Sequence, residues 1–207
     1  QLSLVSNFDD VEARWSFGPE MFGYGVSHPE MHYTLTIPRT AALSVDDTES
    51  TVEIAGVAAP LRIETLDSEV QVRKQRGPVR VDANEGTVSL SDVEGDLKVD
   101  THEGTVQATG LQGRLMLDTH EGRADVAIDS LAAVEVDTHE GDVTLTMPSD
   151  AGFDLSTDLG DGARLRWPAD LASFRDDEED DYTGAVRGGG PLVHLMSHEG
   201  EITLRTP

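Results

Sequence analysis

Asp100-Thr101-His102-Glu103-Gly104 recurs as Asp118-Thr119-His120-Glu121-Gly122 and again as Asp137-Thr138-His139-Glu140-Gly141. The copies start at 100, 118 and 137, so they are offset by 18 and 19 residues, and weaker copies continue the spacing in both directions. With the threonine slot as anchor, the series runs Asp47, Thr65, Ala83, Thr101, Thr119, Thr138 and Thr157, then after a long interruption Ser197 in Met196-Ser197-His198-Glu199-Gly200. Self-similarity at a fixed period is the signature of a repeat architecture.

Each unit carries two stretches in which apolar and polar residues alternate. Apolar residues stand four and two positions before the anchor, as in Leu61/Ile63, Val79/Val81, Leu97/Val99, Leu115/Leu117, Val134/Val136, Phe153/Leu155 and Val193/Leu195. A second set follows the turn, as in Val70/Val72, Val88/Leu90, Val106/Ala108, Ala124/Val126, Val143/Leu145 and Ile202/Leu204. Period-two alternation marks strands with one buried face, and helical spacing is absent from this region. The recurrence of identical residues at one phase favours a β-solenoid over a meander of hairpins, because stacking sets like upon like. The expected fold is therefore all-β, a single-domain β-solenoid of about 18-residue two-strand coils. In it the anchor threonine faces inward, with its hydroxyl bonding backbone at the corner. Gly86, Gly104, Gly122, Gly141 and Gly200 share one phase after the turn, where a positive φ is expected. Val57, Val93, Leu111 and Leu131 mark a second corner.

Residues 1–42 lack the repeat but hold Phe8, Trp15, Phe17, Phe22, Tyr24 and Tyr33, so they read as an irregular N-terminal cap on the solenoid of residues 43–207. Residues 167–191, acidic at 176–181 and glycine-rich at Gly188–Gly190, read as a loop insertion before the last unit.

The chain has 207 residues, 15 Lys and Arg against 40 Asp and Glu, a formal net charge of −25 and no cysteine. Such an acid excess argues against gripping nucleic acid or an anionic membrane, which needs clustered cations, and favours a cationic partner or a salt-adapted source. Without cysteine there is no disulfide, thiolate metal site or cysteine nucleophile in this chain. No run of about 18 apolar residues offers a transmembrane segment. The start at Gln1 is read as a mature or truncated start, such as removal of an export leader or a truncation of the chain would each leave.

Tyr33-Thr34-Leu35-Thr36-Ile37-Pro38, the Thr-x-x-Gly turns at 101–104, 119–122 and 138–141, Val143-Thr144-Leu145-Thr146-Met147-Pro148 and the return from Gly188–Pro191 into Ser197–Gly200 carry a family likeness. Over roughly 33–207 the chain resembles the bacterial β-strand-repeat adhesin domains of unknown function, relatives of the head domains of auto-transporter adhesins. The resemblance implies a secreted, periplasmic or cell-surface protein that is not an enzyme. His-Glu inside the turn departs from that family's usual small residues, which makes this slot the place to seek specific chemistry.

Stacked by unit, the position after the anchor holds His102, His120, His139 and His198, and the next holds Glu85, Glu103, Glu121, Glu140 and Glu199. The position before the anchor holds Asp82, Asp100, Asp118 and Asp137. Rungs of a parallel sheet lie about 4.8 Å apart, and like charges at about 5 Å repel by roughly 0.8 kcal/mol even in water. Bound cations, protonated histidines or high salt would offset that cost. His102, His120 and His139 form the candidate metal site for Zn²⁺, Cu²⁺ or Ni²⁺, with Asp100, Asp118, Asp137, Glu103, Glu121 and Glu140 as secondary ligands; Ca²⁺ would use the acids alone. Solvated corner residues repeated by duplication, and a pH-sensing ladder, are the alternatives.

His28-Pro29-Glu30-Met31-His32 is a weaker metal candidate, since Pro29 disfavours the helix that would bring two histidines together. A carbohydrate-cleaving solenoid, with paired carboxylates as acid and base, is the enzymatic alternative; the strand face is read as lacking the basic residues such enzymes use. The expectation is a non-enzymatic, extracytoplasmic solenoid that presents a repetitive acidic and histidine surface for binding, adhesion or envelope sensing. Its partner is a protein or cell-surface ligand, and its ends are available for homo-oligomers.

Overall fold

The computed structural model describes residues 3–5, 12–16, 32–168 and 181–207. In chain order the strands are β1 Ser3–Val5, β2 Glu12–Ser16, β3 His32–Thr36, β4 Leu43–Asp47, β5 Thr51–Ala55, β6 Leu61–Arg76, β7 Val79–Glu94 and β8 Leu97–Thr101. They continue as β9 Thr105–Thr119, β10 Arg123–Thr138, β11 Asp142–Thr146, β12 Phe153–Leu159, β13 Arg164–Arg166, β14 Thr183–Val186, β15 Leu192–Ser197 and β16 Glu201–Arg205. No helix occurs among the described residues, so none is long and apolar enough to cross a membrane. The strands form a β-solenoid with about 18 residues per turn.

Two parallel faces enclose one core. On the first, the strand segments that precede the turn stack as β4, β6, β7, β8, β9 and β10, and Leu61, Val79, Leu97 and Leu115 fall in one column. On the second, the segments after the turn stack as β5, β6, β7, β9, β10, β11 and β16, aligning Val70, Val88, Val106, Ala124, Val143 and Ile202. β6, β7, β9 and β10 bend round a corner without interruption and so serve both faces. The inward columns are buried throughout, with Val99, Leu117 and Val136 at 0–1% exposure. This is the packing that the alternation predicts, and burial of such side chains is worth about 1.5–3 kcal/mol each.

Three features differ from the sequence reading. The first is the order of the last coils. β15 pairs with β10 on one side and β12 on the other, and β16 lies between β11 and β13. The C-terminal unit is thus threaded beneath the unit that precedes it in sequence. Ser197 stacks on Thr138 and aligns with Leu159, so Thr157 sits opposite Leu195 rather than in the anchor column. The corner has the form of the one it stacks on: Ser197 Oγ donates to Gly200 O at 3.1 Å, as Thr138 Oγ1 donates to Gly141 O at 3.0 Å.

The second difference concerns the glycines. Of the five in the turn column only Gly86 has a positive φ, at 93°. Three of the others are required by close backbone approach: a Cβ on Gly122 would lie 2.2 Å from Gly104 O, one on Gly141 2.4 Å from Gly122 O, and one on Gly200 2.1 Å from Gly141 O, whereas one on Gly104 would meet Thr101 Oγ1 of its own turn at 2.6 Å. A second column of Gly77, Gly95 and Gly113, which combines positive φ with the same close approach, lines the opposite corner.

The third is the second corner itself, where Ile128 rather than Leu131 faces Leu111. The extra residue of the 19-residue unit is taken up by register shifts between Val126 and Val134, which carry Leu131 on to Gly113. Gln75 fills the equivalent slot opposite Val93, fully buried, and donates to Ala59 O at 2.6 Å.

The insertion is not all loop: β14 runs antiparallel along the outer edge of β12, and Arg187, Gly188, Gly189 and Gly190, all at positive φ, turn the chain back into β15. At the other end β1 runs antiparallel along β4, so both edges of the first face are covered. β2 and β3 form a separate two-stranded antiparallel sheet. Phe8, Phe17, Phe22 and Tyr24 of the expected cap, like 176–180 of the acidic run, lie outside the described residues.

Leu117→Asp is expected to abolish cooperative folding, because it puts an unpaired charge in a closed column at a cost of more than about 4 kcal/mol; a soluble variant with a sharp thermal transition would refute the register. Gly122→Ala is expected to destabilise by about 1–3 kcal/mol through overpacking against Gly104, read as a lower Tm in calorimetry; an unchanged Tm would show that the backbones do not stack this closely.

Candidate ligand-binding corner

The repeat corner is built from a continuous backbone ladder. His120 N donates to Thr101 O at 3.0 Å and Glu121 N to His102 O at 2.7 Å; His139 and Glu140 repeat this on Thr119 and His120 at 3.0 and 2.7 Å. His198 and Glu199 repeat it once more on Thr138 and His139, at 3.0 and 2.8 Å. The inward anchor braces its own turn at three rungs: Gly104 N donates to Thr101 Oγ1 at 3.2 Å, Thr138 Oγ1 to Gly141 O at 3.0 Å and Ser197 Oγ to Gly200 O at 3.1 Å. Thr119 Oγ1, in the same slot, has no partner among the described residues. At the first rung the buried anchor is Asp47, which accepts from Ser50 Oγ at 2.5 Å and Ser68 Oγ at 2.7 Å.

With the backbone held at rung spacing, the side chains after the anchor project outward in register. The rings of His102 and His120 stack at 4.7 Å with 3° between their planes, and those of His120 and His139 at 4.6 Å and 2°. His198 continues the column at 4.9 Å from His139, tilted by 42°. The sequence reading placed His102, His120 and His139 together as ligands; the structure adds His198 as a direct neighbour, because β15 is threaded against β10.

His102, His120 and His139 each turn Nδ1 toward the glutamate that follows. The distances from Nδ1 to Oε1 are 3.6 Å for His102 and Glu103, 3.6 Å for His120 and Glu121, and 3.7 Å for His139 and Glu140. These are ion-pair distances, longer than hydrogen bonds, and His120 Nδ1 is buried without a hydrogen-bond partner. The imidazoles remain about half exposed, at 44–50%. Among the described residues no group of three His, Asp or Glu side chains is already gathered round a metal-sized point.

The aspartates stand on the other side of the anchor, outward and in register: Asp46, Glu64, Asp82, Asp100, Asp118 and Asp137. Burial raises the Asp118 pKa above the usual carboxylate value, and the charges of Asp100 and Asp137 on the flanking rungs raise it further, against smaller lowering by Lys98 and His120.

The same face also carries cations, which corrects the reading of it as lacking basic residues. Arg62, Arg80 and Lys98 align two residues before the acids. Arg80 makes a two-point contact with Asp82 at 2.9 and 3.0 Å, and Arg62 bridges Glu64 and Asp82, the latter at 3.4 Å. With Arg114 they border an open groove of about 580 Å³. The alternation of Arg at one outward position and Asp or Glu two residues on was the available signal. Acid repulsion is thus offset most on the early rungs; on the later ones Met116 and Glu135 occupy the cationic slot, and Asp118 is left with the smaller lowering by Lys98 from the rung before it.

His28, and with it the candidate pair of His28 and His32, lies outside the described residues. Asp181, at the end of the acidic run, accepts from Leu159 N at 2.7 Å.

Such a stack of parallel coils with a ladder of repeated corners defines a β-solenoid repeat domain. A family model described as Toastrack DUF4097 matches residues 13–205, and the chain belongs to that family, a domain family of unknown function. The adhesin label of the sequence-based resemblance is not part of this match. No curated protein and no solved structure matches the chain significantly.

A raised carboxyl pKa in the folded state favours folding at low pH and opposes it once the group ionises. Asp118→Asn is therefore expected to raise Tm by about 2 °C at pH 7, and the difference should vanish as the pH falls through the folded-state pKa of Asp118 to its ordinary value. Paired melts of wild type and variant from pH 3 to pH 8 check this; a variant less stable at pH 7 would reverse the sign.

Proposed function

We propose that this Toastrack domain is a non-enzymatic module, secreted, periplasmic or displayed at the cell surface, that holds a cationic partner along its repeated acidic corner and so serves binding, adhesion or envelope sensing. The observation that carries the reading is the equal spacing of the corner side chains, 4.6–4.9 Å from His102 to His198. A partner with a matching run of cationic groups can engage several rungs at once, so weak contacts add up without any deep pocket. The net charge of −25 draws such a partner in and repels polyanions.

The same equivalence speaks against catalysis at the corner. Acid–base chemistry needs neighbouring groups driven into different roles by different surroundings, whereas these rungs repeat one His–Glu arrangement at 3.6, 3.6 and 3.7 Å. The extracytoplasmic placement rests on the earlier adhesin-type resemblance.

The test compares immobilised wild type with a Glu103→Gln, Glu121→Gln and Glu140→Gln triple variant against polylysine and purified envelope polymers at rising salt. Wild type is expected to bind a cationic probe in a salt-sensitive way and the variant at least tenfold more weakly. Equal binding by both, or binding only to anionic polymers, would overturn the reading. Detection of the natural protein solely in the cytoplasmic fraction of its source cells would overturn its placement.

A further inference from the structure

We infer that neighbouring histidines of the corner column form two-imidazole sites for first-row transition-metal ions of the Cu²⁺, Ni²⁺ and Zn²⁺ class, with two ions per chain, one between His102 and His120 and one between His139 and His198. The inference goes beyond the cationic-partner reading and does not depend on it.

The ligand atoms are the Nε2 nitrogens. Each Nδ1 of the first three histidines faces a glutamate oxygen at 3.6–3.7 Å, and that carboxylate favours the tautomer with its proton on Nδ1. The Nε2 lone pair is then left free. Metal-binding histidines generally donate this second ring N–H to a carboxylate or carbonyl, and here the glutamates stand within ion-pair reach of it, a small ring movement short of a hydrogen bond. Glu103, Glu121 and Glu140 thereby become positioning groups rather than the ligands the sequence suggested.

Spacing decides how many rings one ion takes. Equivalent nitrogens of two parallel rings are separated by the stacking distance, 4.6–4.7 Å in the flat pairs. Two nitrogens at about 2.0–2.1 Å from a common metal lie at most about 4.2 Å apart. That limit belongs to a linear arrangement; in the flat pairs the lone pairs run side by side, so each half-exposed ring must turn by about 45° or more to aim its nitrogen at a shared ion, and the 42° tilt of His198 against His139 is a turn of that kind. Three consecutive rings span two rungs, about 9.6 Å, which no single ion bridges. Four rings therefore divide into two pairs, with water completing each shell. Nitrogen donors select the transition metals over Ca²⁺, which takes oxygen ligands.

The experiment is a calorimetric titration of the chelator-treated, tag-free full chain with Cu²⁺, Ni²⁺, Zn²⁺ and Ca²⁺, with electron paramagnetic resonance of the Cu²⁺ form. Two Cu²⁺ per chain at micromolar or tighter Kd, nitrogen hyperfine structure, and dipolar coupling between two coppers about two rungs apart are expected. His198→Ala should lose one of the two sites, and His102→Ala with His139→Ala should weaken both at least tenfold, while circular dichroism and Tm confirm that these exposed substitutions leave the fold intact. Binding unchanged in the histidine variants, a spectrum of oxygen ligands alone, or two full sites retained in His198→Ala would overturn the inference. The glutamine triple variant tests the partner reading separately, so the two can fail independently.

Discussion

Everything in this molecule follows from the registered stacking of one parallel rung on the next. At about 4.8 Å spacing, each side chain meets the same slot of the coils above and below more closely than it meets anything else. Inside, that constraint is favourable, because a column of Val, Leu and Ile excludes water along its whole length. Outside it is costly wherever the repeated residue is charged. The run Asp46, Glu64, Asp82, Asp100, Asp118, Asp137 exists because hydrogen bonding of the backbone and burial of the alternate residues outweigh its repulsion. Arg62, Arg80 and Lys98 relieve the early rungs most, and the perturbed Asp118 lies beside Met116, which occupies the cationic slot on its own rung.

Legibility in the sequence tracks the same constraint. Inward columns were readable because alternation and period coincide there: Leu117 beneath Val136 needs nothing more than the repeat. The inward anchors and outward histidines follow by parity. What period alone does not encode is the order in which coils stack. A unit that resembles all others fits anywhere in the column, and in the order adopted β14 closes the outside of β12. The bond from Ser197 to Gly200 lies within one turn and shows only that this turn has the form of the Thr138 turn it stacks on. The 19-residue unit was harder because its register is also open. One extra residue has several places to go, and the bulge that carries Leu131 past Leu111 is settled by packing of Ile128.

The glycine columns show how a correct residue assignment can carry the wrong cause. Gly104, Gly122, Gly141 and Gly200 are needed at the corner, yet not for left-handed backbone. At Gly122, Gly141 and Gly200 the turns nest so closely that a methyl group would occupy the space of the neighbouring carbonyl, and at Gly104 it would meet the anchor Thr101 Oγ1. That nesting is also what lets the His and Glu amides reach the previous rung, at 2.7–3.0 Å from His120 to His198. The flat imidazole stack is a consequence of the glycine column one side and the threonine column on the other.

Function is therefore best sought at the corner rather than on the faces. A face position is held by a sheet whose neighbours on both sides compete for its charges, as Asp82 is held by Arg80 and Arg62. Three of the corner histidines have a glutamate beside Nδ1, their rings are about half exposed, and His198 continues the column on a fourth rung. The threading of β15 extends that column: had the coils stacked in chain order, the Thr157-Asp158-Leu159-Gly160 corner would have followed His139 and ended the run at three. Insertion of the C-terminal unit brings His198 against His139 and makes an even column, which is what allows its rings to act in pairs.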